Sequence, residues 1–405
     1  MRRGSLLLML LITGSMLCFS TGVDSVEKAV GISAVANSHV EAQIEIADCG
    51  DKKACKLSLL VTYPGLSSGL AAPVVLFFSG FQMPRSWYDS YAEQLASSGG
   101  YAVVQYETSS SIVKPLIPDM IEVQFIPRIL SFLAGEATNS TSPLYNRVDV
   151  SRVGLMGHSR GGKLAALALA FGVHLPDQTP LPACTRQQST SMHGPGPAEA
   201  SQDLGSKHKQ QLQQEQQEQQ QDQHRVHDPH SQHLAELQPA EAGRCQQVVQ
   251  GVGLVPQLAA VLIDPVDSGS GSSPQDMQYP SAVEALTGRN RSAALIGAGV
   301  CGWCNPKKDG WRSFWPVLQS GWLQVVFAAG HLQFTDAKGA AAWAWDKFCG
   351  GKAQSHAEVQ EFPVRAALAW FGLAFEDKPP TAYIDWSLKQ QQLQRASFEI
   401  KTAKV

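Results

Sequence analysis

The fold is indicated by one stretch of ten residues, Val153-Gly154-Leu155-Met156-Gly157-His158-Ser159-Arg160-Gly161-Gly162. Its first part is typical of a buried strand, and an Ala- and Leu-rich segment typical of a helix follows from Lys163. A Gly-x-Ser-x-Gly sequence between a strand and a helix is typical of a sharp turn that lifts the serine above the sheet. The helix N-terminus there favours developing negative charge. We therefore predict that Ser159 is a nucleophile and that Gly157 and Gly161 are required by the tight turn.

Strand and helix patterns alternate on both sides of this stretch. The segments with strand patterns are 57–63, 74–78, 101–106, 151–156, 259–263, 292–296 and 322–327. The segments with helical spacing are 87–97, 121–133, 163–170 and 363–375. Such alternation predicts an α/β protein, with a mostly parallel central sheet that is covered by helices on both faces.

A serine hydroxyl is a poor nucleophile unless a base takes its proton. His331 is the candidate base, because it follows Gly330 on a loop directly after the predicted strand at 322–327. His158 is the sequence neighbour of the nucleophile but points elsewhere in such a turn. We therefore predict only a packing role for His158.

The base in turn needs a carboxylate, which holds the imidazole in the right tautomer and stabilises its charged form. Asp264 is the favoured candidate, because it directly ends the predicted strand at 259–263. Asp267 lies three residues later, and Asp309 follows the next predicted strand. Both of these aspartates stay open as alternatives.

The negative oxygen that forms during acyl transfer needs two N–H donors. The backbone of Arg160, the residue after the nucleophile, is the first candidate. The second candidate is the backbone of Phe81, with Gln82 as the alternative, on the loop after the predicted strand at 74–78. This chemistry requires no metal and no organic cofactor.

The motifs around these residues resemble those of the chlorophyllases, the plant and algal enzymes that release phytol from chlorophyll. Residues 157–163 look like the family's lipase box, residues 262–267 like its acid motif, and Gly330-His331 like its base motif. The resemblance runs from about residue 73 to residue 375 outside a Gln-rich stretch. It departs from the family pattern at Ser79-Gly80, where the family usually has His-Gly.

This resemblance implies the α/β-hydrolase fold and a catalytic triad of Ser159, Asp264 and His331. It implies a serine carboxylesterase that acts in chlorophyll breakdown on a lipophilic substrate, chlorophyll or a related phytyl ester. Peripheral membrane association would suit such a substrate. The alternatives are a lipid or polyester esterase related to platelet-activating-factor acetylhydrolase, and a non-catalytic binding protein of the same fold. A net charge of −3 gives no reason to expect nucleic acid as a partner.

The chain divides into five predicted segments. These are a signal or targeting peptide at 1–22, the first part of the hydrolase domain at 45–185, an insertion at 186–247, the second part of the domain at 248–380, and a C-terminal tail at 381–405. The insertion is rich in Gln and His, with too little apolar surface to offset the entropy of ordering, so we predict that it is disordered. Its histidines at 224, 227, 230 and 233 recur every third residue, and we interpret them as part of a solvated, biased tract, with a loose metal site as the alternative.

The N-terminus and the cysteines bear on the compartment. Two arginines precede a short apolar run at 6–19, which is typical of a secretory signal and predicts entry into the endomembrane system. The resemblance implies the chloroplast as the alternative. Cys49 and Cys55 flank a short loop and are spaced for a small disulfide. Cys301 and Cys304 have the spacing of a redox pair but lack thioredoxin-like surroundings, so the favoured interpretation is a structural disulfide or free thiols. Sequons at 139–141 and 290–292 are candidate glycan acceptors.

Overall fold

A nine-stranded sheet organises the residues that the computed structural model describes, which are 37–49, 54–65, 70–108, 117–173, 256–267, 279–350 and 355–403. The predicted signal segment at 1–22 and the predicted insertion at 186–247 lie outside these residues. The described residues all belong to one unit, Met1–Pro176 together with Gly253–Val405.

The sheet has the strand order β1-β2-β4-β3-β5-β6-β7-β8-β9. Its strands are β1 Asn37–Ile46, β2 Cys55–Pro64, β3 Ala72–Phe78, β4 Ala102–Glu107, β5 Val148–His158, β6 Gln257–Ile263, β7 Ser292–Ala298, β8 Ser320–Val326 and β9 Ala396–Lys401. The six strands from β4 to β8 in this order are parallel. The strands β1, β2 and β9 pair antiparallel at the two edges. The prediction of a mostly parallel central sheet is confirmed.

Helices cover both faces of this sheet. The α-helices are α1 Asp89–Gly99, α2 Asp119–Val123, α3 Phe125–Thr138, α4 Arg160–Phe171, α5 Ala282–Leu286, α6 Trp311–Val317, α7 Gly339–Cys349, α8 His356–Glu376 and α9 Thr381–Gln392. Short 3₁₀ helices are formed by Arg85–Tyr88 and His331–Phe334. Within the described ranges, none of the helices combines the length and the apolar character that a membrane span requires.

The core consists of two apolar layers, one on each face, because successive side chains of a strand point to opposite sides of the sheet. In β3, Val74 and Leu76 pack into the layer under α3 and α4, whereas Val75 and Phe77 pack into the layer under α1 and α8. The strand is buried along its whole length. Burial on both faces explains why the central strands are continuous apolar runs in the sequence.

Both edges of the sheet extend beyond the predicted domain limits. The strand β1 begins at Asn37, before the predicted domain start at 45, and it is exposed on one face. Its inner face is built from the half-buried Val40, Ala42 and Ile44 and the buried Ile46, so its sequence signal is a weak alternation rather than an apolar run. Residues 381–405, predicted only as a tail, contain α9 and β9, and β9 pairs with β8.

Two disulfides tie loops to this framework. The predicted small disulfide Cys49–Cys55 joins the end of β1 to the start of β2. The second disulfide, Cys304–Cys349, joins the loop after β7 to the end of α7. Cys301 is a free and exposed thiol. The interpretation of Cys301 and Cys304 as a redox pair is therefore wrong, because Cys304 has a different partner.

Candidate active site

Ser159 lies at the turn between β5 and α4, in a backbone conformation that L-residues rarely adopt. Its φ is 58° and its ψ is −123°. The backbone is held there on both sides: the Ser159 N–H donates to Ile263 O at 3.0 Å, and the Ser159 carbonyl accepts from the N–H groups of Lys163 and Val266, each at 3.2 Å. Such strain persists only where the surroundings impose it, and it is common at functional sites.

The two flanking glycines are required by close backbone approach. A Cβ on Gly157 would overlap the carbonyl of Gly161, and a Cβ on Gly161 would overlap the carbonyl of Phe78 at the end of β3. The turn therefore needs glycine at both predicted positions. With the elbow geometry at Ser159 and the sheet order, the architecture is that of the α/β-hydrolase fold.

His331 begins the 3₁₀ helix that follows β8, and its side chain is buried. Its Nε2 lies 2.8 Å from Ser159 Oγ, and its Nδ1 lies 2.6 Å from Asp264 Oδ2. Because an ionised carboxylate only accepts hydrogen bonds, Nδ1 carries the proton. Nε2 is then free to accept the Ser159 proton. The structure thus brings these three predicted side chains into one hydrogen-bonded line.

The Asp264 carboxylate is fully buried and is held at both oxygens. Oδ1 accepts from the backbone N–H of Ala298 at 3.0 Å, at the end of β7. Oδ2 accepts from Asn305 Nδ2 at 2.9 Å as well as from His331. The backbone of Asp264 also has a positive φ, 37°, directly after β6. These contacts fix the direction in which the carboxylate faces the imidazole.

Asn305 is a site residue that the sequence analysis missed. It is buried in the loop after β7, where its Oδ1 accepts from the Gly302 N–H at 2.7 Å and its Nδ2 reaches both Asp264 and Val300 O. Its neighbour Cys304 belongs to the disulfide that anchors this loop. A single Asn in an irregular loop has no periodic or motif signal. The sequence indicated only that a cysteine lies beside it.

The two alternative aspartates have other contacts. The Asp267 carboxylate accepts from Ser281 Oγ at 2.5 Å and from the Ala282 N–H at 2.6 Å, at the start of α5. The Asp309 carbonyl accepts from the Asp267 N–H at 2.8 Å. The carboxylate that contacts His331 is that of Asp264.

The candidate oxyanion donors share a cleft beside the elbow. Arg160 is the first residue of α4, where a helical N–H has no partner within the helix. Phe81 lies in a turn that is closed by a hydrogen bond from Met83 N–H to Gly80 O at 3.1 Å. The residues that line the cleft are Ser79, Gly80, Phe81, Gln82, Met83, Tyr106, Glu107, Thr108, Ile117, Glu122 and Arg160.

The Arg160 side chain links α4, the helix after the nucleophile, to α2 on one side of this cleft. Its guanidinium lies 2.7 Å from Asp119 Oδ1 and 2.6 Å from Glu122 Oε2, and it donates to Ile117 O at 2.8 Å. Burial alone would lower the pKa of Arg160, but the carboxylates of Glu122 and Asp119 outweigh it and raise that pKa. The guanidinium stays charged, and its contacts hold α2 beside the elbow.

Lys163, one turn further along α4, completes this charged cluster. It is buried, and its Nζ lies 2.9 Å from Asp119 Oδ2, which is buried as well. Two cations therefore share one buried carboxylate.

Within the described ranges, no group of three or more His, Cys, Asp or Glu side chains is arranged to hold a metal ion. The histidines between 224 and 233 lie outside these ranges.

We predict that Asp119→Asn destabilises the protein by about 3–5 kcal/mol, because it leaves the buried Lys163 ammonium without its carboxylate partner, whereas Arg160 keeps Glu122. The matched control is Glu361→Gln, which removes an exposed ion pair with Arg365. That change costs under about 1 kcal/mol. Denaturant unfolding of both variants checks the difference, and equal losses of unfolding free energy would contradict this account of the cluster.

Among comparisons with known proteins, one family model agrees with the motif around Ser159. A model of the chlorophyllase family matches residues 30–179, a range that contains Ser159 but ends before Asp264 and His331. No curated protein sequence matches the chain. Among solved structures, a ferulic acid esterase from Streptomyces cinnamoneus is similar with a TM-score of 0.48 at 16% identity, over 87% of this chain and 93% of that chain. The family match supports a carboxylic ester hydrolase and confirms the predicted resemblance at residues 157–163, whereas the predicted acid and base motifs at 262–267 and 330–331 lie beyond the matched range.

Proposed function

We propose that this chain is a serine carboxylesterase of the chlorophyllase type, which hydrolyses the phytyl ester of chlorophyll to chlorophyllide and phytol. The observation that carries the proposal is the hydrogen-bonded line from Ser159 Oγ through His331 to Asp264, with distances of 2.8 and 2.6 Å. Nucleophile, base and orienting carboxylate are then within reach of one another. The match to the chlorophyllase family supports the choice of substrate.

In the acylation step, Ser159 Oγ attacks the ester carbonyl while its proton passes to His331 Nε2. The negative charge that forms on the carbonyl oxygen is stabilised by the backbone N–H groups of Arg160 and Phe81. The tetrahedral intermediate then collapses, and the imidazolium returns the proton to the departing phytol oxygen. The Asp264 carboxylate stabilises the imidazolium throughout.

In the deacylation step, water attacks the acyl-serine and His331 takes its proton. The second tetrahedral intermediate releases Ser159, which recovers its proton from the imidazolium. The immediate products are the carboxylic acid of chlorophyllide, which then releases its proton to solvent, and the regenerated enzyme. Among the three side chains of the line, only His331 changes its charge, because it carries the transferred proton in each step.

The cleft supports a second candidate function. A phytyl tail gains roughly 0.8 kcal/mol for each CH₂ that it buries, so it favours an apolar surface. The described cleft instead carries Glu107, Glu122 and Arg160, which suit a smaller or more polar ester. Residues 109–116, which follow the cleft residue Thr108, lie outside the described residues. A lipid or polyester esterase is therefore the alternative function, and the substrate assay has to distinguish it from a chlorophyllase.

We propose that the chain enters the endomembrane system rather than the chloroplast. Its two disulfides support this route, because such bonds persist in oxidising compartments. The sequon asparagines Asn139 and Asn290 are both exposed, so each is accessible to glycosylation.

Ser159→Ala should abolish the release of phytol from chlorophyll, lowering kcat at least about 10⁴-fold, because the nucleophile is lost. Ser98→Ala, at an exposed serine on α1, is the control and should leave kcat unchanged. Pigment extraction and chromatography measure the chlorophyllide formed, and nitrophenyl butyrate is assayed in parallel. Rapid cleavage of the short ester without chlorophyllide would favour the alternative esterase. Binding of pigment without turnover of either ester by the wild type would favour a non-catalytic protein.

Asp264→Asn should lower kcat by about 10⁴-fold with nitrophenyl butyrate, because the amide holds His331 in the wrong tautomer. Asp309→Asn is the matched control and should retain wild-type kcat. Circular dichroism confirms that both variants fold. A loss of similar size in Asp309→Asn would assign the acid to the later strand instead.

The compartment is tested on protein purified from the cells that make it, with free thiols alkylated before reduction. We expect Cys301 to be alkylated and the four cysteines of the two disulfides to be protected, with a glycan on Asn139 or Asn290. Mass spectrometry of the peptides reports both. Full alkylation of Cys301 and of the four disulfide cysteines, without any glycan, would place the protein in a reducing compartment.

A further inference from the structure

His158 makes two hydrogen bonds, although only a packing role was predicted for it. Its side chain is fully buried between β5 and the loop after β8. Nε2 lies 2.9 Å from the backbone carbonyl of His331, and Nδ1 lies 2.8 Å from the hydroxyl of Tyr88. The rings of His158 and His331 are also close, with centroids 4.5 Å apart. The second residue of the Gly-x-Ser-x-Gly turn therefore contacts the backbone of the base.

The direction of each proton in this network follows from its partners. A carbonyl only accepts, so His158 Nε2 carries a hydrogen and donates to His331 O. Nδ1 of the neutral ring is then an acceptor, and Tyr88 O–H donates to it. Burial, and after it the neighbouring His331 ring, lower the pKa of His158 well below its usual value. The ring is therefore neutral at pH 7, as this assignment requires.

Tyr88 connects the same network to the oxyanion loop. It is the last residue of the 3₁₀ helix Arg85–Tyr88, and it is fully buried. Its oxygen accepts from the backbone N–H of Gly80 at 3.1 Å. Met83 Sδ lies 2.9 Å from the same oxygen, but a thioether is a weak acceptor, so the single hydroxyl proton goes to His158. Gly80 directly precedes Phe81, the candidate oxyanion donor.

We infer that Tyr88 and His158 are positioning residues, which link the oxyanion loop to the backbone of the catalytic histidine through three buried hydrogen bonds. The link runs from Gly80 N–H to Tyr88, from Tyr88 to His158, and from His158 to His331 O. The inference rests on the proposed function, because it assigns His331 as the base and Phe81 as an oxyanion donor.

The link matters because two parts of the machinery come from separate loops. The oxyanion donor follows β3, and the base follows β8, so nothing in the sheet ladder joins them directly. A displacement of about 1 Å between groups that act on one carbonyl costs about 10²-fold in rate. Both linking side chains are fully buried, so they act through Gly80 and His331 rather than by touching substrate.

Three substitutions separate the parts of this link. Tyr88→Phe removes only the hydroxyl and keeps the ring that packs on Phe77, with centroids 4.9 Å apart. His158→Gln keeps an N–H donor near the Nε2 position but loses the acceptor for Tyr88. The matched control is Tyr383→Phe, which removes a buried hydroxyl that donates to Gln324 Oε1 at 3.0 Å, on α9 and away from the site.

The experiment measures kcat and KM with nitrophenyl butyrate, the rate of Ser159 phosphonylation by an alkyl fluorophosphonate, and Tm. Tyr88→Phe should lower kcat and the phosphonylation rate by about 10- to 100-fold at a KM within about threefold of wild type. His158→Gln should lower kcat and the phosphonylation rate by a factor in the same range. The double variant should lose little beyond the larger single loss, because both changes break one link. Tyr383→Phe should lower Tm but leave kcat and phosphonylation unchanged.

The outcomes separate the inference from the proposed function. Wild-type rates in folded Tyr88→Phe and His158→Gln, with Tm lowered as in the control, would make the link merely structural and overturn the inference. If Tyr88→Phe does not fold, His158→Gln decides in the same way. If wild-type Ser159 is not phosphonylated at all, the proposed serine esterase fails, and the inference falls with it.

Discussion

The site depends on how the hydrogen-bond ladder ends at the carboxyl edge of the parallel sheet. Beyond the last paired residues of β5 and β6, the Ser159 N–H still donates to Ile263 O at 3.0 Å, and the Asp264 N–H donates to Ile296 O at 2.6 Å. At these two points the chain leaves the sheet, and both Ser159 and Asp264 have a positive φ. The sheet therefore imposes the strained backbone that turns the hydroxyl and the carboxylate toward the same space. His331 follows β8, which is separated from β6 by β7, and it completes the arrangement from the same edge of the sheet.

A strained, buried polar site is stable only if its groups are satisfied. An unpaired buried polar group costs about 1–3 kcal/mol, and a charged one costs more. The Asp264 carboxylate meets this demand with donors from Ala298, Asn305 and His331. In the helix that follows the nucleophile, the buried charges of Arg160 and Lys163 are paired with the Asp119 carboxylate. Both sets of contacts lie around the reacting residues, so the groups that satisfy the site also fix its geometry before any substrate arrives.

Local patterns in the sequence predicted much of this arrangement, because each reacting residue follows a strand that is recognisable on its own. Ser159 is identified by its turn between a strand and a helix, and Asp264 and His331 by their positions directly after apolar runs. Asn305 and Tyr88 escaped prediction, since their roles depend on contacts between loops that are distant in the chain and carry no periodic signal. His158 was treated as packing because its two partners are a backbone carbonyl and a tyrosine 70 residues away. The strands β1 and β9 were missed because an edge strand needs to be apolar on one face only.

The central claim is that Ser159 becomes acylated when His331 takes its proton, and rapid quenching of the full-length protein with nitrophenyl butyrate tests it most directly. Peptide mass spectrometry of the quenched protein locates any acyl group, and the released nitrophenol gives the size of the burst. We predict an acyl group on the peptide that contains Ser159 in the wild type, and neither burst nor adduct in His331→Ala. Turnover without an adduct on Ser159, or an equal burst in His331→Ala, would contradict the account.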